Sequence, residues 1–188
     1  DIGSVPLPHT MSALDLSQLG LAQDVDNFST ALMACLPGCK PAIQTAWNNS
    51  QKYDSTCNLV INNNDEYLDL CHFALLVNQS IADAAVSSAA QQICSRINSS
   101  AIIAERHLSN CGGYAWDLNQ SNGIHIYFPV STASPGYSSY NNTNLEFVLN
   151  KSWDEFLAAY FAAVVPSPTP TPTVTPTVTS TVSGPTLT

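Results

Sequence analysis

The chain has 188 residues and a formal net charge of −9, with only 10% of residues charged, so its solvated surface must be built from Ser, Thr, Asn and Gln, a composition common in secreted proteins. That length suits one domain with a real core, while the acidity argues against nucleic acid as a partner: Lys40, Lys52, Arg96, Arg106 and Lys151 are scattered and form no basic stripe to neutralise phosphates. No apolar stretch approaches the ~20 residues of a membrane span.

The opening "DIGSVPLPHT" has neither the basic start nor the apolar run of a signal peptide, which fits an excised or mature fragment. Thr10 to Leu16 reads as a short strand running into Ser17, a candidate N-cap. Leu21, Val25, Phe28, Leu32 and Cys35 then recur at helical spacing until Pro37 and Gly38 stop the pattern. Lys40 to Lys52 is a weaker helix carrying Trp47, and Asp65 to Val77, opened by acids and apolar on nearly all sides, reads as a buried helix. Ala82, Val86, Ala89, Ile93 and Ile97 mark another helical face. "AIIAERHL" fits a strand, and a Gly-Gly loop leads to the most strand-like run of all, Gly123 to Val130, in which Ile124, Ile126 and Phe128 share one face and His125 and Tyr127 the other. After a loop of Ser, Gly, Tyr and Asn, Ser152 and Glu155 form a capping-box signature for a last helix striped with Trp153, Phe156, Leu157, Tyr160, Phe161 and Val164. Mixed elements of these lengths predict an α/β layer fold over residues 1–165. Pro166 to Thr188 alternates Pro and Thr with Val and predicts a disordered, polyproline-like linker toward a further module or the cell surface.

Six cysteines, Cys35, Cys39, Cys57, Cys71, Cys94 and Cys111, form an even set in a low-charge chain, which points to disulfides and an oxidising compartment. A metal site is the weaker alternative, since no CxxC pair or matching His pair exists. The expected local bridge joins Cys35 or Cys39 to Cys57 across a short polar segment.

The order "TMSALDLSQL", "EYLDLCHFALLV", "GIHIYFP", a loop with Tyr and Asn, and "LEFVLNKSWDEFLAAYF" resembles the C-terminal half of the clostripain-like cysteine peptidases over about Thr10 to Phe161. His125 departs from that pattern, which places Ser there. The resemblance implies the C-terminal part of a caspase- or gingipain-like α/β/α sandwich, in which a thiolate attacks the peptide bond, an imidazole serves the leaving amine and backbone amides hold the oxyanion. It further implies that the His/Cys dyad and the acidic groups recognising basic side chains belong to an N-terminal half acting as this chain's partner. A protein or peptide is then the substrate, the sheet should keep an unpaired edge, and calcium is the one cofactor the resemblance suggests.

Within the chain itself the catalytic candidates are few. Cys71 and His72 are helix neighbours that point ~100° apart and cannot act on each other. Cys111 before a glycine pair, with His107 or His125 as base, offers an alternative thiol site, against a half-cystine in a turn. His9 and Asp15 read as a terminal residue and a structural acceptor near a helix start. Three functions stay open: part of a secreted clostripain-like endopeptidase, inactive alone; a noncatalytic secreted binding or adhesion module; and an autonomous thiol hydrolase using Cys111.

Overall fold

The computed structural model of the chain describes residues 8–15, 17, 20–55, 58–111, 113–141 and 145–165. The elements run β1 (His9–Leu14), α1 (Gly20–Cys35), α2 (Lys40–Asn49), β2 (Lys52–Tyr53), β3 (Tyr67–Asp69), α3 (Leu70–Ser80), α4 (Ala84–Arg96), one π-helical turn (Ile97–Ala101), β4 (Ile102–Leu108), β5 (His125–Tyr127), α5 (Tyr137–Asn141), α6 (Glu146–Asn150) and α7 (Trp153–Ala162). The class is mixed α/β, as expected, but the strands form two small sheets. One is an antiparallel ribbon of β1 and β4, the other an antiparallel sheet in the order β2-β3-β5. The expected tail, 166–188, and Cys57 lie outside the described residues.

Phe128 organises the core. Its ring meets those of Trp47, Phe73, Trp153, Phe156, Tyr160 and Phe161 edge-on, at centroid distances from 5.2 Å for Tyr160 to 6.5 Å for Phe161. Edge-to-face contacts set the positive ring edge against the negative face, adding directional preference to plain burial. Two indoles fix the strand end that carries this ring: Trp47 Nε1 donates to the Phe128 carbonyl at 3.0 Å, and Trp153 Nε1 donates to the Tyr127 carbonyl at 2.7 Å. Around this centre α1 packs on α4 and α7, and α3 packs on α2 and α4. Asp24 on α1 is buried and paired with Arg96 on α4, so the one charge that the α1–α4 contact takes out of water is neutralised. Lys40 Nζ donates to the Ala163 carbonyl at 2.7 Å and lies 5.0 Å over the Tyr160 ring, tying the start of α2 to the end of α7.

Several sequence expectations are corrected. Asp65 to Val77 is not one helix. Tyr67–Asp69 is strand β3, and α3 starts only at Leu70, because the Asp69 carboxylate accepts the His72 amide at 2.9 Å as an N-cap. Helix α2 stops at Asn49, and Lys52 instead begins β2 with its ammonium on the carbonyls of Trp47 (2.6 Å) and Asn48 (3.1 Å), the negative end of α2. Ser17 does not cap α1, which begins at Gly20; its hydroxyl donates to Asp15 at 2.7 Å. The capping box of α7 is not formed, since the Ser152 hydroxyl and amide both go to Asp26 on α1. Val164 lies beyond α7 and is exposed. Strand β5 is shorter than Gly123 to Val130, and the Tyr-rich loop contains the short helices α5 and α6.

Cysteine pairing also differs from expectation. Cys35 bonds to Cys39, not to Cys57, closing the corner between α1 and α2, and Cys71 bonds to Cys94, joining α3 to α4. Cys35 and Cys39 flank the α1–α2 turn with Cα atoms 5.6 Å apart, within the span a disulfide bridges. Loop-closure entropy ranks the two bridges, because the separation is 23 residues for Cys71–Cys94 and 4 for Cys35–Cys39. The double variant Cys71→Ala/Cys94→Ala should therefore lose ~3 kcal/mol in chemical denaturation, more than Cys35→Ala/Cys39→Ala at ~2 kcal/mol. Phe128→Ala should lose ~3–5 kcal/mol by the same measurement, since it empties the centre of the aromatic cluster.

Candidate functional site

One concave feature lies against β5. Phe128 N donates to the Glu66 carbonyl at 2.8 Å and Leu70 N to the Ile124 carbonyl at 2.9 Å, so the even-numbered residues of this stretch turn their main-chain groups toward β3. The main-chain groups of His125 and Tyr127 consequently face the other way, where no strand among the described residues pairs with them. A groove of about 350 Å³ borders β5, β3 and the start of α1. One wall is apolar, formed by Leu21, Ala22 and Val25 of α1 with Ile124 and Ile126; the other is ringed by Tyr67, Tyr127, Tyr140 and His125, and Phe147 closes the end.

The ringed wall is built by strand register. Tyr67 pairs with Tyr127 across the sheet and Asp69 with His125, which sets the Tyr67 ring 5.7 Å from Tyr127, tilted, and 5.1 Å from His125, edge-on. Tyr140 of α5 adds a third phenol 4.9 Å from Tyr127. Burial pushes the Tyr127 and Tyr140 hydroxyls well above the ordinary phenol range, aided at Tyr127 by Glu66 and at Tyr140 by Asp154, so both stay neutral. His125 is exposed at the surface, but partial loss of solvent around its ring lowers its pKa against the opposing pull of Asp69. Gly136 sits over this wall, and a β-carbon there would stand 3.0 Å from the Tyr127 hydroxyl.

Beneath the site lies a buried polar network centred on Asp69, which is fully buried. Its carboxylate accepts the His72 amide (2.9 Å), the Tyr53 hydroxyl (2.9 Å), the Asn122 amide (2.6 Å) and the Asn122 side chain (3.0 Å). Ser121 continues the network at 3.0 Å from both the Tyr53 and the Thr10 hydroxyls, connecting it to the β1–β4 ribbon. There the Ser12 hydroxyl donates to the Gly123 carbonyl at 2.6 Å. Gly123 has φ +88°, and a β-carbon on it would lie 3.0 Å from Ser12 Cβ, so both backbone and space demand glycine. A second buried carboxylate, Asp65, holds the loop before β3 by accepting the Ser55 and Asn62 amides at 2.9 and 2.8 Å.

The sequence candidates are placed as follows. Cys71 is consumed in its disulfide, and His72 Nδ1 accepts the Gln51 amide at 2.9 Å, so this imidazole serves the backbone. Cys111 is a half-buried free thiol in the loop after β4, its carbonyl accepting the Tyr114 amide at 3.0 Å. Among the described residues no hydrogen bond joins that thiol to His107, which contacts Glu105 at 3.1 Å, or to His125, which lies on β5. His9 stands at the start of β1, and Asp15 accepts the Ser17 amide at 2.9 Å. Lys52 is a buried amine 4.4 Å over the Trp47 ring, and burial lowers its pKa to about 8. Among the described residues no group of three His, Cys, Asp or Glu side chains converges to hold a metal, and no helix is long and apolar enough to cross a membrane. The groove's tyrosines and the Asp69 hub were missed by sequence reasoning; the alternation of His125 and Tyr127 on one strand face was the one signal pointing to them. No family model, curated protein or solved structure matches the chain.

Burial lowers the pKa of His72 as well as His125, and the sign of the pH dependence follows. Between the ordinary value of ~6.5 and the lower folded values, the unfolded chain binds more protons than the folded one, so stability should fall as pH drops through this window. His72→Gln keeps an acceptor for the Gln51 amide but does not titrate. Urea titrations at pH 7.5, 6 and 5 should show a flatter pH dependence for this variant than for the unmodified chain.

Proposed function

We propose that this chain is the C-terminal, noncatalytic part of a secreted clostripain-like cysteine endopeptidase that cleaves after basic residues, and that it belongs to a caspase-like α/β/α sandwich. The observation that carries this reading is the convergence of the resembling stretches on one core. "EYLDLCHFALLV" supplies β3 and Phe73, "GIHIYFP" supplies β5 and Phe128, and "SWDEFLAAYF" supplies Trp153, Phe156, Tyr160 and Phe161, and these rings enclose Phe128. "TMSALDLSQL" supplies β1, which reaches the same sheet through Thr10, Ser121 and Tyr53. Two disulfides are compatible with an extracellular setting. Among the described residues no strand pairs with the outer edge of β5, which further supports a sheet that continues into a partner half carrying the His and Cys of the reaction.

In this reading the chain contributes scaffold and not chemistry. Its packed aromatic core and Asp69 network would hold one boundary of the sheet, while the partner half places the thiolate and imidazole at its strand ends. A second reading, a noncatalytic secreted binding module, is favoured by the groove beside β5, which could serve an unrelated polypeptide equally well.

The test is a fluorogenic arginyl-peptide assay on the chain alone and on the chain mixed with the half that the reading places upstream of Asp1. The chain alone should show no hydrolysis, the mixture should show thiol-dependent cleavage, and Cys111→Ser should leave that cleavage unchanged. Activity in the chain alone that disappears in Cys111→Ser would replace this reading with the autonomous thiol hydrolase. Tight association without cleavage would favour the binding module.

A further inference from the structure

We infer that this chain carries N-linked oligosaccharides at five asparagines on its helical and loop surfaces, and that the sugar is attached before the chain folds. Asn followed by any residue but proline and then by Ser or Thr is the acceptor triplet for such a glycan. The triplet occurs at Asn27, Asn48, Asn78, Asn98 and Asn119, and again at Asn141 and Asn150. All sixteen asparagines lie in residues 1–165, where about one residue in seven is Ser or Thr, so chance would give only about two or three triplets. The inference does not rest on the peptidase reading. It needs only a chain that enters a secretory compartment, with which the two disulfides are compatible.

The fold leaves room for the sugar. Asn27 on α1, Asn48 on α2, Asn98 in the π-helical turn and Asn119 in the loop before β5 are exposed, and Asn78 near the end of α3 is half-buried. Among the described residues no hydrogen bond uses the Nδ2 of these five. Asn27 and Asn48 spend only their Oδ1, which accept Gln23 at 3.1 Å and Gln44 at 3.3 Å. Asn150 differs, because its Nδ2 donates to the Glu146 carbonyl at 3.0 Å and to the Glu146 carboxylate at 2.7 Å, and a glycan would remove one of those donors. Asn141 holds a buried Oδ1 without a partner. The first five are therefore the assigned sites.

The hydroxyls fix the order of events. A transferase that recognises the triplet needs the amide and the hydroxyl presented together on an accessible backbone. In the folded chain the Ser29, Ser50 and Ser100 hydroxyls donate to the carbonyls of Val25 (2.8 Å), Ala46 (2.7 Å) and Arg96 (3.2 Å), and Ser29 and Ser50 are buried. Ser121 is held between the Tyr53 and Thr10 hydroxyls, 3.0 Å from each. Of the five triplets, only that of Asn78 ends on an exposed hydroxyl, Ser80. In the transfer, Asn Nδ2 attacks the anomeric carbon of a lipid-pyrophosphate-linked oligosaccharide. The nitrogen–carbon bond forms as the bond from that carbon to the pyrophosphate oxygen breaks, lipid pyrophosphate leaves, and the amide proton passes to a carboxylate of the transferase.

The experiment takes the full chain as secreted by its source cells, removes N-glycans with peptide-N-glycosidase in heavy-oxygen water, and maps the asparagines converted to labelled aspartate by mass spectrometry. Label is expected at Asn27, Asn48, Asn78, Asn98 and Asn119 and not at Asn150. Label at fewer than three of the five, or at Asn150 in preference to them, would overturn the inference. Asn78→Gln should lower the intact mass by one glycan, and Ser80→Ala, which changes only an exposed hydroxyl, should abolish label at Asn78. Label that persists there in Ser80→Ala would mark spontaneous deamidation and overturn that assignment. For the order of events, the unglycosylated folded chain and the same chain reduced and alkylated are each offered to an oligosaccharyltransferase with its lipid-linked donor. The alkylated chain should accept sugar at all five sites, and the folded chain about tenfold less or worse at every site but Asn78. Equal transfer to the two forms would overturn attachment before folding.

Discussion

A buried carboxylate bonded on all sides is the constraint on which the rest of this structure depends. Asp69 ends β3, caps α3 and receives Tyr53 from β2 and Asn122 from the loop before β5, so a single side chain sets where strand becomes helix and which loop lies beneath the sheet edge. Four donors keep the charge compensated without a cation, and removing any one would leave part of a buried charge unsatisfied. The network's extension through Ser121 to Thr10 brings the β1–β4 ribbon against the loop carrying Gly123. Everything that shapes the groove, including the register that places Tyr67 beside Tyr127 and His125, follows from holding this corner rigid.

The sequence made the long-period elements legible and left the joints illegible. Helix α1, the face of α4 and the Trp153 helix are visible as periodic patterns, because burial of one face writes itself into spacing. Asp65 to Val77 misleads because a run apolar on all sides has no period, and the decisive residue is a single cap inside it. Ser152 misleads differently: its capping signature is real as a local pattern, but Asp26 lies 126 residues away in sequence and offers the better acceptor. Cysteine pairing was equally beyond spacing, since Cys35 to Cys39 depends on how sharply the chain turns between α1 and α2. The groove was least legible of all, because Tyr67, Tyr127, Tyr140 and Leu21 meet only once register and helix placement are set.

Rigidity on one side and openness on the other give the molecule its functional character. Aromatic rings, two disulfides and the Asp24–Arg96 pair concentrate order on the helical side of the sheet. Among the described residues β5 pairs with a strand on one side only, and a groove that α1 helps to wall lies against it. Natural sheets ordinarily shield such edges with charge, proline or a covering segment. Here the groove against β5 is lined mostly by apolar and aromatic side chains.

Amide hydrogen exchange along residues 122–128 tests this division most directly. An account in which the Asp69 corner is locked and the outer edge of β5 is open predicts alternation. The amides of Asn122, Ile126 and Phe128 should be strongly protected, and those of His125 and Tyr127 should exchange orders of magnitude faster in the isolated chain. Uniform protection across the strand would mean that the outer edge is already paired, and would contradict the account.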